Sequence, residues 1–160
     1  MVFLTKTSSL KKSKWKIAFS LIFPVVFSKL CYTLAVSDNK KKIFIVDDDA
    51  ISLEVAAMIL GEAYEVTTVM SGKAGLDLLV HHYKPDLILL DIIMPEMDGW
   101  ETYNKIRGIS LLHEVPIVFL TSLASPEGQE QAKHMGAADY ITKPLDKANL
   151  LGRIGKILNP

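Results

Sequence analysis

The chain has 160 residues, 49% of them hydrophobic, with eighteen Lys/Arg against eighteen Asp/Glu. That length suits one domain with a real core. The zero net charge hides an asymmetry: residues 1–42 carry nine lysines against the lone acid Asp38, a net of +8, while the rest carries nine Lys/Arg against seventeen acids, a net of −8. An acidic domain argues against nucleic acid as a direct partner, because phosphate contacts need positive surface. Cys31 is the single cysteine, so no intrachain disulfide can form and a reducing compartment is the expected home.

In chain order, residues 1–36 come first as a basic, apolar leader. Its stretch 17–36 is nearly long enough to span a bilayer. Pro24 and Lys29 interrupt it, and lysines on both flanks give no orientation. It reads as a membrane anchor, as an export signal with a small-residue site at Thr33-Leu34-Ala35, or as an extension upstream of a native start at Val36. The last is preferred, because Val36 is followed by a short polar lead-in to the first strand. The functional domain is then 37–160 and cytoplasmic, touching a membrane only if residues 1–36 are retained.

From Lys42 onward, short β-rich runs alternate five times with helix-length segments of period near 3.6. Ile43–Val46 precedes a helix over about 50–61 with Leu53, Ala56, Ala57 and Leu60 on one face. Tyr64–Val69 precedes a helix over about 72–83 with Leu76, Leu79 and Val80 aligned. Leu87–Leu90 precedes a helix from Gly99 to about Gly108, and Ile117–Leu120 one from about Pro126 to Met135. Asp139–Thr142 precedes a last helix over about 147–158, aligning Leu151, Ile154 and Leu158. This alternation predicts an α/β fold, a doubly wound parallel sheet with helices on both faces. The runs at 43–46, 87–90 and 117–120 are continuously apolar, as central strands should be, while the runs at 64–69 and 139–142 are mixed and belong at the edges. The flavodoxin-like order 2-1-3-4-5 satisfies this, with its switch point between strands 1 and 3.

Four of these runs end in polar residues that would meet at the carboxyl edge of the sheet, where open α/β folds bind ligands. They are Asp47-Asp48-Asp49, Asp91, Thr121-Ser122 and Lys143-Pro144. Carboxylates forced together repel unless a cation lies among them, and a few hard oxygen ligands suit Mg²⁺. A carboxylate can also act as a nucleophile toward phosphorus, with a lysine and a hydroxyl to stabilise the charge. Asp49 is expected to cap the first helix. His81, His82, His113 and His134 show no ligand spacing to one another.

At these residues the chain resembles a response-regulator receiver domain of bacterial two-component signalling. The motifs are Val46–Asp49, Asp86–Gly99 around Asp91, Pro116–Ser122 and Gly136–Pro144, all in order at matching spacings over residues 42–158. The resemblance implies that Asp91 is the phosphoacceptor. It further implies that Asp48 holds Mg²⁺ directly and Asp47 through water, with Asp91 and the Ile93 backbone carbonyl completing the protein ligands. Lys143 would pair with the phosphoryl group, Thr121 would hydrogen-bond to it, and the Lys143–Pro144 peptide would be cis. Thr121 and Tyr140 would form a coupled switch that repacks the face of helix 4, strand 5 and helix 5. The donor would be a phosphohistidine on a sensor histidine kinase or phosphotransfer protein, and the output a partner protein bound at that face. The resemblance thus implies a stand-alone signalling switch, like the single-domain chemotaxis regulators, and no turnover enzyme.

Ile93 and Leu123, two residues after Asp91 and Thr121, are apolar and cannot orient a water for attack on an acyl phosphate. Slow self-dephosphorylation is expected. Two other readings compete. A phosphatase of the haloacid dehalogenase type also uses a strand-end aspartate, and Asp47-x-Asp49 mimics its motif, but the best nucleophile here lies on strand 3. A degenerate receiver acting only as an interaction module would lack a site residue, and none is missing.

Overall fold

Side chains alternate across a strand, so a strand that is apolar at every position must be covered on both faces. The computed structural model describes residues 40–81, 83–122 and 124–159. The strands are β1 (Lys42–Val46), β2 (Glu65–Val69), β3 (Leu87–Asp91), β4 (Ile117–Thr121) and β5 (Asp139–Thr142). They form one parallel sheet in the order β2-β1-β3-β4-β5. The helices are α1 (Ala50–Leu60), α2 (Gly72–Val80), α3 (Gly99–Arg107), α4 (Pro126–His134) and α5 (Lys147–Leu158). Every residue of β3 and β4 is buried, whereas β2 is mostly half-exposed. The order and the edge positions agree with the sequence reading.

Alternate residues of the strands feed two separate cores. Phe44, Val46, Ile88, Leu90, Ile117, Phe119 and Tyr140 face Leu79 of α2, Tyr103 and Ile106 of α3, and Ala132 of α4. Ile43, Ile45, Leu87, Leu89, Val118, Leu120 and Ile141 face Leu53, Ala56, Ile59 and Leu60 of α1, and Leu150 and Ile154 of α5. Each fully buried Leu, Ile or Phe contributes about 1.5–3 kcal/mol of transfer free energy, so these two layers hold the sheet edge in place.

Helix starts follow local chemistry. The side chains of Asp49, Ser71, Asp98, Ser125 and Asp146 each accept a backbone N–H from the first turn that follows. Three details depart from the sequence reading. First, α2 stops at Val80 instead of about 83, and Val80 is 57% exposed instead of lying on the buried face. There the His81 ring Nδ1–H donates to the Asp77 carbonyl at 2.6 Å, and Lys84 before Pro85 is steered away from helix. Second, a 3₁₀ turn at Ser110–Leu112 follows α3, fastened by the Arg107 guanidinium, which donates to the carbonyls of Leu112, His113 and Val115. Third, Ile59 and Leu150 are buried while Ala57 and Leu151 are only half-buried, a rotation of each apolar face by about one position. The leader at 1–36 and Leu123 lie outside the described residues, as do His82 and Pro160.

Candidate functional site

The strand register brings the polar ends together. Val46 lies beside Leu90, Asp91 beside Leu120, and Thr121 beside Thr142. Asp47 and Lys143 are each one residue past those rungs, so two acids, a threonine and a lysine share one line across the carboxyl edge. The Lys143 main-chain N–H donates to the Thr121 carbonyl at 2.8 Å, which ties the last two strand ends together. The Lys143–Pro144 peptide is cis.

Lys143 is the centre of the cluster. Its Nζ lies 2.6 Å from Asp47 Oδ2 and 3.3 Å from Asp91 Oδ1. The first contact is a short charge-assisted hydrogen bond. The second is an ion-pair approach without hydrogen-bond alignment, so Asp91 Oδ1 stays buried with no hydrogen-bond partner. Asp47 and Asp91 are 1% and 4% exposed, and Asp48 is more open. Burial pushes the Asp91 carboxyl up to about 6, with Lys143 pulling it down and Asp47 adding to the rise. Burial pulls the Lys143 ammonium down, but the hydrogen bond to Asp47 and the charges of Asp91 and Asp47 together outweigh that and leave it above the usual lysine range.

Carboxylate oxygens of Asp47, Asp48 and Asp91 lie within 4.8 Å of one another, and this is the acidic or metal-ligating cluster found among the described residues. An all-oxygen donor set of three carboxylates, one with an unpaired buried oxygen, fits Mg²⁺. Ile93, two residues past Asp91, is 52% exposed. The loop between β3 and α3 is folded tightly there: Glu96 adopts a left-handed conformation (φ 63°), and the Met97 N–H donates to the Pro95 carbonyl at 2.7 Å. Its far end returns to β3, where the Gly99 N–H meets the Ile92 carbonyl at 2.9 Å. A Cβ on Gly99 would sit 2.2 Å from the Asp91 carbonyl oxygen, so only glycine allows this close approach.

Thr121 is fully buried and Tyr140 is 9% exposed. Burial pushes the Tyr140 phenol up, and a side-chain hydrogen bond with Thr121 works against that rise. The structure therefore joins the two residues that the sequence reading coupled. Around β5, the Arg153 guanidinium grips Asp139 through two donors, Nε to Oδ2 at 2.6 Å and Nη2 to Oδ1, and also reaches the Tyr140 carbonyl at 3.1 Å. Arg153 escaped the sequence reading, since a pair fourteen residues apart leaves no periodic trace. Of the described histidines, His113 and His134 lie beside Glu114 and Glu130 on the surface.

A doubly wound sheet with carboxylates, a threonine and a lysine at its switch-point edge defines a class of α/β domain that binds its ligand at the strand ends. Within that class the chain belongs to the response regulator receiver domain family, whose profile matches residues 43–155. It is similar to a Vibrio cholerae protein described as a probable cyclic di-GMP phosphodiesterase, at 37% identity over 70% of this chain and 25% of that protein. It is similar also to response regulator PleD of Caulobacter vibrioides, at 34% identity over 71% of this chain and 25% of that protein. Among solved structures it resembles the chemotaxis protein CheY4 of Vibrio cholerae, with a TM-score of 0.69 and 30% identity over 74% of this chain and 98% of that one. The chain spans about a quarter to a half of the length of the curated relatives it matches. Receiver domains serve two-component signalling as switches, working with histidine kinases or phosphotransfer proteins and with effectors. No helix among the described residues is long and apolar enough to cross a membrane.

Proposed function

We propose that this chain is a phosphoacceptor switch in which Asp91 takes a phosphoryl group from a phosphohistidine. In that step a carboxylate oxygen of Asp91 attacks phosphorus in line, the P–N bond breaks, and the leaving imidazole keeps the electron pair and takes up a proton. The observation that carries the reading is the buried Asp91 carboxylate, ion-paired to the Lys143 ammonium at 3.3 Å and clustered with Asp47 and Asp48 at the sheet edge. Asp47, Asp48, Asp91 and the Ile93 carbonyl would hold Mg²⁺, which when bound neutralises charge on the phosphoryl oxygens. Lys143 pairs with the transferred group and Thr121 hydrogen-bonds to it. Tyr140 follows Thr121, which changes the face of α4, β5 and α5 that an effector protein reads. The match to CheY4, over 98% of that chain and 74% of this one, supports the switch reading, and a kinase-dependent donor is in keeping with a cytoplasmic setting.

Incubation with Mg²⁺ and a small acyl phosphate, followed by intact-mass measurement, tests this. One added phosphoryl group is expected, with none in Asp91→Asn and none without Mg²⁺. Gain of mass persisting in Asp91→Asn would refute the site. The exposed apolar Ile93 also supports a long-lived acyl phosphate, since neither it nor Leu123 can orient water. The Ile93→Asn, Leu123→Glu variant is therefore expected to lose its phosphoryl group faster than the parent, and an equal or longer lifetime in the variant would contradict the timing.

A further inference from the structure

Gly128 lies in the first turn of α4, where its N–H donates to the capping Ser125 Oγ at 3.0 Å. Glycine is among the poorest helix formers, so its place inside a nine-residue helix runs against local propensity. The reason lies across the helix. A Cβ on Gly128 would sit 2.8 Å from the Tyr140 hydroxyl oxygen, 3.5 Å from Tyr140 Cζ and 3.1 Å from Ser125 Oγ. The inward phenol thus occupies the space that any other residue at 128 would fill.

We propose that Gly128 is a positioning residue of the switch: its missing side chain forms the slot that admits the Tyr140 hydroxyl under α4, beside Thr121. The inference deepens the switch reading given above and rests on it for its consequence at the effector face. The backbone of Tyr140 cannot yield easily, because β5 is paired to β4 at Phe119 and Arg153 holds the Tyr140 carbonyl. The ring can swing, since a groove lined by Gln129, Lys133, Ala137 and Asp139 opens beside it. A side chain at 128 therefore turns Tyr140 outward, and the first turn of α4 and the Tyr140 rotamer are set together. A break of local helix preference with no packing gain of its own is the pattern expected where function dictates the residue.

The test is Gly128→Ala in the full chain labelled with fluorotyrosine, with the Tyr140 resonance identified by its loss in Tyr140→Phe. Overpacking of this size is expected to raise the solvent-facing share of Tyr140 by roughly tenfold, and to lower the denaturation midpoint. In the Tyr140→Phe background the hydroxyl is gone, the 3.5 Å contact to the ring is ordinary, and the 3.1 Å approach to Ser125 Oγ is the one tight contact left. There Gly128→Ala is expected to raise the midpoint, because alanine is the better helix former. An unmoved Tyr140 resonance would overturn the slot. An equal loss of stability in both backgrounds would do so too, by placing the crowding on Ser125. Neither readout needs a phosphoryl group, so failure of Asp91 to accept one would sink the switch reading and leave the slot standing.

Discussion

Asp86 and Asp91 stand at opposite ends of the same strand, each beside a lysine, and the fold treats them in opposite ways. Asp86, just before β3, is opposed by burial but accepts the Lys42 N–H at 2.7 Å and the Lys41 ammonium at 3.0 Å, and its carboxyl ends up below the ordinary range. Asp91, at the carboxyl end of β3, has an ammonium nearby and an oxygen that nothing hydrogen-bonds, and burial drives its carboxyl up to about 6. A lysine neighbour alone therefore does not decide the charge state. Satisfied hydrogen bonds at the amino edge make a structural clamp; a buried carboxylate at the carboxyl edge, ion-paired but not hydrogen-bonded at Oδ1, is the kind of perturbed group that marks a candidate functional site.

The sharpest way to break this comparison is to remove each lysine in turn. Lys143→Ala leaves the buried Asp47 carboxylate with no cation, which is expected to cost about 3 kcal/mol in urea unfolding without divalent metal. A loss below about 1 kcal/mol would show that water already screens the carboxyl edge.

The next largest effect is in the pH profile. A carboxyl raised in the folded state binds its proton more tightly there than in the unfolded chain, so its stabilising contribution is full at low pH and is lost as pH rises from about 4 through about 6. Asp91→Asn is expected to abolish that fall, leaving the variant more stable than the parent by on the order of 2 kcal/mol at neutral pH. The sign for Asp86 is reversed: its stabilisation is present above the ordinary carboxyl range and is lost on acidification. Parallel profiles for parent and Asp91→Asn would remove the contrast between the two strand ends.

The smallest effect sharpens the amino edge. The Lys41 ammonium is half-exposed, so Lys41→Ala is expected to cost less than about 1 kcal/mol, since the Lys42 N–H still satisfies Asp86.

Much of this was legible in the sequence, for a physical reason. Ile43–Val46, Leu87–Leu90 and Ile117–Leu120 are apolar at every position, which only a doubly covered strand tolerates, and the polar residue after each run then falls at one edge. Period and run length carry that information. Contacts between distant elements leave no such trace. The grip of Arg153 on Asp139, the fastening of the 3₁₀ turn by Arg107, and the room that Gly128 leaves for Tyr140 join residues whose spacing obeys no repeat. Val80 shows the same limit from the other side: its period matched a helix face, but the chain turned away toward Pro85 before that face met the core.

The tight return of the loop to β3 at Gly99 has a consequence for how such a switch diversifies. The loop carrying Ile93 and Glu96 is pinned at its root by the Gly99 N–H and by a backbone approach that leaves no room for a side chain. Exposed residues of the loop such as Ile93 can be exchanged while Asp91 keeps its position. On the proposed function, persistence of the signal would then be a dial separable from the machinery that receives it, open to adjustment by natural drift or by an engineer who rewrites a few exposed letters.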